Sequence, residues 1–97
     1  MREDRQRLDK WLWFARFART RSLAARLASD GFVRVNGSRV ENPAKGIGIG
    51  DVVTVAAPHG TLAVRVLDLG LRRGSAPEAR LLYDDLPGAA RPDSSPE

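Results

Sequence analysis

The dipeptide Asn36-Gly37 constrains this 97-residue chain more than any other feature of its sequence. It lies between Phe32–Val35, in which Val33 and Val35 alternate with Phe32 and Arg34, and a second short segment, Ser38–Val40. Two residues that accept positive φ, set between two such segments, specify a tight antiparallel hairpin whose first strand is half-buried. The chain entering this hairpin is helical in pattern. Leu8, Trp11, Leu12 and Ala15 follow i, i+3, i+4, i+7 spacing and predict a helix from Arg7 to Phe17. Thr20 is suited to cap a second helix through Ser29, with Leu23, Ala24, Leu27 and Ala28 turned inward and Gly31 as its stop. Lys10, Trp13 and Phe17 fall on the opposite side of the first helix, so the two aromatics need a cover or a ligand.

Downstream, Asn42-Pro43 ends the hairpin, and 44–50 reads as a glycine-rich loop before Gly50-Asp51 turns into the strand Val52–Ala56. Pro58-His59-Gly60 is a further turn, and Thr61–Leu69 alternates as another strand. Ser75-Ala76-Pro77-Glu78 forms a capping box and predicts a short helix through Tyr83, its Leu81 and Leu82, with Leu86, docking on the sheet or over Trp13. After Pro87 the apolar periodicity ends, which predicts a disordered tail. The expected organisation is an N-terminal arm over 1–6, a core over 7–56, a strand and helix completing the same domain over 57–86, and the tail over 87–97. The fold class is α+β: two helices on a small, mostly antiparallel sheet, with a short C-terminal helix. With 42% hydrophobic residues, 97 residues allow one modest core and no second.

Charge points to the class of partner. Sixteen Lys and Arg oppose twelve Asp and Glu, and residues 1–45 hold eleven of the basic groups against five acidic ones. A positive half and an acidic tail favour a polyanion as partner. The chain has no cysteine and one histidine, His59, placed in a turn, so thiol chemistry, a disulfide framework and the usual zinc sets drop out, and a Ser-His-Asp arrangement has little support. Gly46, Gly48 and Gly50 lack the strand-to-helix context of a nucleotide cradle, and Asp84-Asp85 reads as a solvated helix end. No enzyme, cofactor or metal is expected. The charged start and the lack of an apolar run of about 18 residues predict a soluble, cytoplasmic protein.

Arg19 and Arg21 flank the cap of the second helix, where free backbone N–H groups already favour an anion. They serve either to bind phosphate or to pair with Asp9 or Asp30 and tie the helices together. Trp13 and Phe17, near Lys10, form either core or a stacking platform for bases, and the reading adopted is core, because bare aromatics invite aggregation.

The run RLDKWLW…TRSLAARLASDGFVRVNGSRVENPAKGIGIGDVVTV, from Arg7 to Val55, resembles the RNA-binding domain named for ribosomal small-subunit protein four, the S-four domain. The carrying residues are RLD, the Thr-Arg before the second helix, Ala24, Leu27, G-x-V-x-V-N-G, Pro43 and Gly50-Asp51, in order. LDKWLWFARFARTRSLA and RRGSAPEARLLYDD resemble, more narrowly, the small stand-alone heat-shock members of that family in bacteria. The resemblance implies an αL motif, two helices on a small sheet, laid against structured RNA. It implies ribosomal RNA of the large subunit as partner, with tRNA on that subunit as a further contact, in recycling or quality control of stalled subunits under heat stress. With the charge pattern, it makes Arg7, Lys10, Arg16, Arg19, Arg21, Arg26, Arg34, Arg39 and Lys45 the expected RNA-binding residues of a monomer. Ala25 departs from the family, which often has Arg there. The rival reading is a protein-interaction module that docks on a ribosomal protein or nascent chain, the basic face only steering the encounter.

Overall fold

The computed structural model describes residues 5–57, 60–70 and 73–86. The turn at His59 and the tail beyond Leu86 lie outside the described residues. The elements run β1 (Gln6–Arg7), α1 (Leu8–Phe14), α2 (Arg21–Ser29), β2 (Val33–Val35), β3 (Ser38–Val40), β4 (Gly46–Ile47), β5 (Val52–Ala57), β6 (Gly60–Val66), α3 (Ala76–Ala79) and β7 (Tyr83–Asp85), with a 3₁₀ turn over Arg80–Leu82 before β7. Five strands form an antiparallel sheet in the order β3-β2-β5-β6-β7, and β1 pairs with β4 in a separate ribbon. The architecture is the expected α+β one.

The hairpin forms as the dipeptide dictates. Asn36 and Gly37 have φ of 53° and 86°, the paired positive values of a type I′ turn, and Val33, Arg34 and Val35 face Val40, Arg39 and Ser38. Val33, Val35, Val40, Val53, Val55, Val64 and Val66 share one buried cluster with Leu8, Trp11, Leu12, Ala24 and Ala28, so the two helices cover one face of the sheet. Arg34 alternates onto the other, exposed face.

Both helices end by the same device at different residues. At the end of α2, Gly31 N–H donates to Ala28 O and Phe32 N–H to Leu27 O, a Schellman motif with Gly31 at φ 85°. At the end of α1, Arg16 N–H donates to Trp13 O and Phe17 N–H to Leu12 O, with Arg16 itself at φ 68°. The helix expected through Phe17 therefore stops at Phe14, because Arg16 takes the left-handed position that usually signals its presence through glycine. The reversal turns Phe17 back onto Trp11 and Tyr83, with ring centroids 5.9 and 4.9 Å away.

Other expectations are corrected by packing. Leu23 is 44% exposed rather than inward, since α2 rests on the small residues Ala24 and Ala28 and leaves its neighbour at the rim. Phe14, outside the predicted stripe, is buried under Gly70, whose missing side chain makes the close approach possible. The 44–50 loop contains β4. Strand β6 ends at Val66, where Leu67 and Asp68 donate backbone N–H groups to Leu82 O. The capping box at Ser75 and Glu78 is present, but α3 lasts four residues, and Tyr83–Asp85 leaves the helical path to pair with β6. Asp84 and Asp85 thus lie exposed on an edge strand. Trp13 and Phe17 both pack half-buried against the core. Tyr83 covers Phe17, while Trp13 stacks on Phe14 at 5.4 Å and carries the Arg73 guanidinium 5.9 Å from its centroid.

Candidate nucleic-acid interface

The N-terminal ends of the helices meet at one buried carboxylate. Asp9, in the first turn of α1 and 3% exposed, accepts from Arg7 Nε at 3.2 Å and Arg7 Nη2 at 3.1 Å, and lies 3.7 Å from Arg21 Nη2. Arg21 opens α2 behind Thr20, whose hydroxyl accepts from Leu23 N–H at 3.1 Å. Asp9 is drawn to this place by two cations and by the positive end of its own helix. Its effect is to fix two guanidinium groups from different elements side by side, each keeping a large exposed surface. The pairing of Arg21 with Asp9 ties the helices together, and it also holds the guanidinium at the surface. Of the alternatives expected for this residue, the structure shows the pairing with Asp9.

Two of the N–H groups in the first turn of α1 are taken. Leu8 N–H donates to Lys45 O at 2.9 Å and Asp9 N–H to Pro43 O at 3.0 Å, so loop carbonyls take the place of a side-chain cap. The same bonds bring Lys45 to the edge of the basic end.

The remaining expected residues are not gathered there. Arg34 and Arg39 are direct cross-strand partners. Such like-charge neighbours repel, and Arg39 is turned away by an ion pair to Glu41 at 3.3 Å and by seating its guanidinium against Gly31, over the carbonyl end of α2. Arg16 spends its Nε on Gly74 O at 3.2 Å. Lys10 lies 5.8 Å from the Phe14 ring centroid. Arg19 is exposed in the connection between the helices, and Arg26 is exposed in the last turn of α2, one residue beyond the half-buried Ala25. Among the described residues, Arg19, Arg26, Arg34 and Lys45 have no carboxylate within 4 Å.

Two features escaped the sequence reading. Asn36 and Asp51 form a staple: Asn36 Nδ2 donates to Asp51 Oδ1 at 3.2 Å, Val52 N–H donates to Asn36 Oδ1 at 2.9 Å, and Gly48 N–H donates to Asp51 Oδ2 at 2.9 Å. It locks the hairpin turn to the turn before β5. Arg5, which the sequence reading assigns to the arm, lies along β4 with its Nη1 donating to Gly46 O at 3.3 Å. Neither had a periodic signal to mark it. Among the described residues, no three His, Cys, Asp or Glu side chains gather as metal ligands would, and no helix is long and apolar enough to cross a membrane.

Comparison with known proteins gives the same frame. Residues 6–53 match the S4 domain. The chain is 46% identical over 79 residues to a heat shock protein 15 homolog of Aeromonas salmonicida, covering 81% of this chain and 59% of that one. It is 39% identical over 79 residues to heat shock protein 15 of Escherichia coli K12, again over 81% and 59%. The chain thus spans about three fifths of the length of these relatives. The trimeric structure of Vibrio cholerae heat shock protein 15 superposes with a TM-score of 0.80 at 40% identity, covering 86% of this chain and 83% of that one. A two-helix layer on this sheet, the G-x-V-x-V-N-G hairpin and these relatives together place the chain in the S4 domain family, with heat shock protein 15 and its homologues among its relatives.

Proposed function

We propose that this chain binds structured RNA at the end where α1, α2 and the 43–45 loop meet, with Arg7, Arg21 and Lys45 as first contacts and Arg19 and Arg26 extending the surface along the helix connection and α2. The observation that carries the reading is the fixed pair of guanidinium groups on Asp9, because preorganised forks lose little freedom when they meet phosphate. Arg34 belongs to the outer sheet face and makes a secondary contact. Lys10, Arg16 and Arg39, held by internal partners, contribute mainly long-range attraction. The RNA is ribosomal RNA of the large subunit, with tRNA retained there as a further contact, and the setting is recycling or quality control of stalled subunits in the bacterial cytoplasm during heat stress. The reading requires no chemistry. Support comes from the S4 match, the heat shock protein 15 relatives and the two exposed guanidinium groups held at Asp9. The Vibrio cholerae relative, solved as a trimer, favours self-association over the expected monomer, and Leu81, 71% exposed, offers apolar surface for it.

Co-sedimentation with separated ribosomal subunits across a salt series, with the chain's own mass measured by light scattering, tests this reading. Binding should follow the large subunit and weaken steeply with salt. Arg21→Gln should lower the salt slope by roughly one unit, and Arg80→Gln, on the exposed 3₁₀ turn, should leave it unchanged. Equal losses in both variants would indicate diffuse attraction and refute a defined site.

A further inference from the structure

The β1–β4 ribbon carries the basic end toward the hairpin turn. Along β1 and the residue before it, Arg5 and Arg7 alternate with Gln6. Gln6 faces inward, where its side-chain amide both donates to Gly70 O at 2.8 Å and accepts from Gly70 N–H at 3.1 Å. The two arginines are therefore left to the other side of the ribbon. Arg7 reaches Asp9. Arg5 runs the opposite way, its stem flat against Gly46, where any side chain would crowd it.

Beyond Arg5 opens a polar cleft of about 350 Å³ between the ribbon and the β2–β3 turn. Arg5 and Lys45 line it with Asn36, Ser38 and Asp51. Asp51 is the one carboxylate of the lining, and both its oxygens are engaged in the staple to Asn36 and Gly48. Arg5 and Lys45 have no carboxylate within 4 Å among the described residues. The walls are rigid for different reasons: a strand pair on one side, and a type I′ turn pinned to the next turn on the other. The cleft is thus a polar recess with two cations that lack a carboxylate partner, and Arg5, which gives one of its five N–H groups to Gly46 O, keeps the others for a ligand.

We infer that this cleft seats a phosphodiester of the bound RNA between Arg5 and Lys45, with the Ser38 hydroxyl placed for the adjoining ribose. The inference rests on the RNA-binding reading and extends it: the nucleic acid contacts the helix end at Arg21 and Arg7, crosses the ribbon, and enters the cleft by the hairpin turn. Arg5 becomes a binding residue that precedes the matched domain segment and falls outside the set expected from sequence. A polar recess with exposed cations suits a phosphate and its sugar better than an apolar side chain.

The test measures fluorescence anisotropy of a labelled hairpin of large-subunit ribosomal RNA over a salt series, with wild type, Arg5→Gln, Lys45→Gln, the double variant, Arg21→Gln and Arg80→Gln. Arg5→Gln and Lys45→Gln should each weaken binding roughly fivefold and lower the salt slope by about one, and the double variant should lower it by about two. Their melting temperatures should match wild type, since both side chains are exposed. If Arg5→Gln binds as wild type does while Lys45→Gln and Arg21→Gln are weakened, the cleft assignment is wrong and the RNA-binding reading stands. If wild type fails to bind the hairpin at any salt, both fall together. AMP and inorganic phosphate serve as competitors. Competition that disappears in the double variant but persists in Arg21→Gln supports the cleft, and competition unchanged in the double variant contradicts it.

Discussion

A methyl group at position 31 meets two obstacles at once: a backbone at φ 85°, which a residue with Cβ adopts at a cost of about 1–2 kcal/mol, and the Arg39 guanidinium occupying the space where Cβ would go. The two separate in a double-variant cycle. Gly31→Ala should destabilise the fold by about 2 kcal/mol in urea unfolding, and adding Arg39→Ala should recover only the part due to contact, leaving about 1 kcal/mol from the backbone. Full recovery would show that the left-handed conformation costs nothing at this site. Single residues differ in how far their role can be read from sequence. Gly31 and Asn36-Gly37 declare themselves because few other residues accept their backbone angles. Asp9 does not: the sequence shows a carboxylate near several arginines, and only the packed helices decide that Arg7 and Arg21 claim it while Asp30 is left out. Arg16 is hidden more deeply, since an arginine in the left-handed position carries no mark of it. Arg5 stands before the first periodic residue, where pattern has nothing to say.

Elements were legible in proportion to their length and regularity. Both helices, the hairpin and strands β5 and β6 each present a cap, an alternation or a turn dipeptide, and their existence follows from the sequence. The ribbon β1–β4 has two residues on each side, too few for any period, and exists because the 43–47 segment lends carbonyls to the start of α1. Strand β7 is concealed differently. Leu81, Leu82 and Tyr83 read as a continuation of the helix opened at Ser75, yet pairing with β6 outweighs that local preference and directs Tyr83 toward Phe17 and Trp11. Tyr83 should therefore matter more than its place near the C-terminal end suggests. Tyr83→Ala is expected to cost about 2–3 kcal/mol, below the full range for a buried aromatic because the ring is half-exposed, and to lower the thermal midpoint by several degrees. Leu81→Ala, on the exposed side of the same turn, should leave the midpoint of the free chain nearly unchanged. Equal effects would mean that β7 contributes little to the core.

At the scale of the molecule, the segment that matches the S4 domain, 6–53, is not the whole of the folding unit. The Trp11 indole N–H donates to Asp68 O at 3.0 Å, Gln6 clasps Gly70, Arg16 reaches Gly74 O, and Arg73 returns to the carbonyls of Trp13 and Ala18. These bonds join groups 55–64 positions apart, and all of them tie the N-terminal quarter to the 68–74 stretch. During synthesis, the helices leave the exit tunnel long before the segment that completes them, with the Trp11 indole still lacking its acceptor and its apolar face still open to water. Closure of long loops is intrinsically late, so the nascent N-terminal half waits on the last strand. Ribosome-arrested chains of increasing length should stay sensitive to protease until residues through Asp85 have cleared the tunnel, then become resistant in one step. Resistance in chains that expose only 1–57 would show that the helix–hairpin half folds unaided. If the single step holds, a chain abandoned before the 68–85 segment is made never sets Arg7 and Arg21 side by side at Asp9, and the basic end exists only in copies that carry that segment.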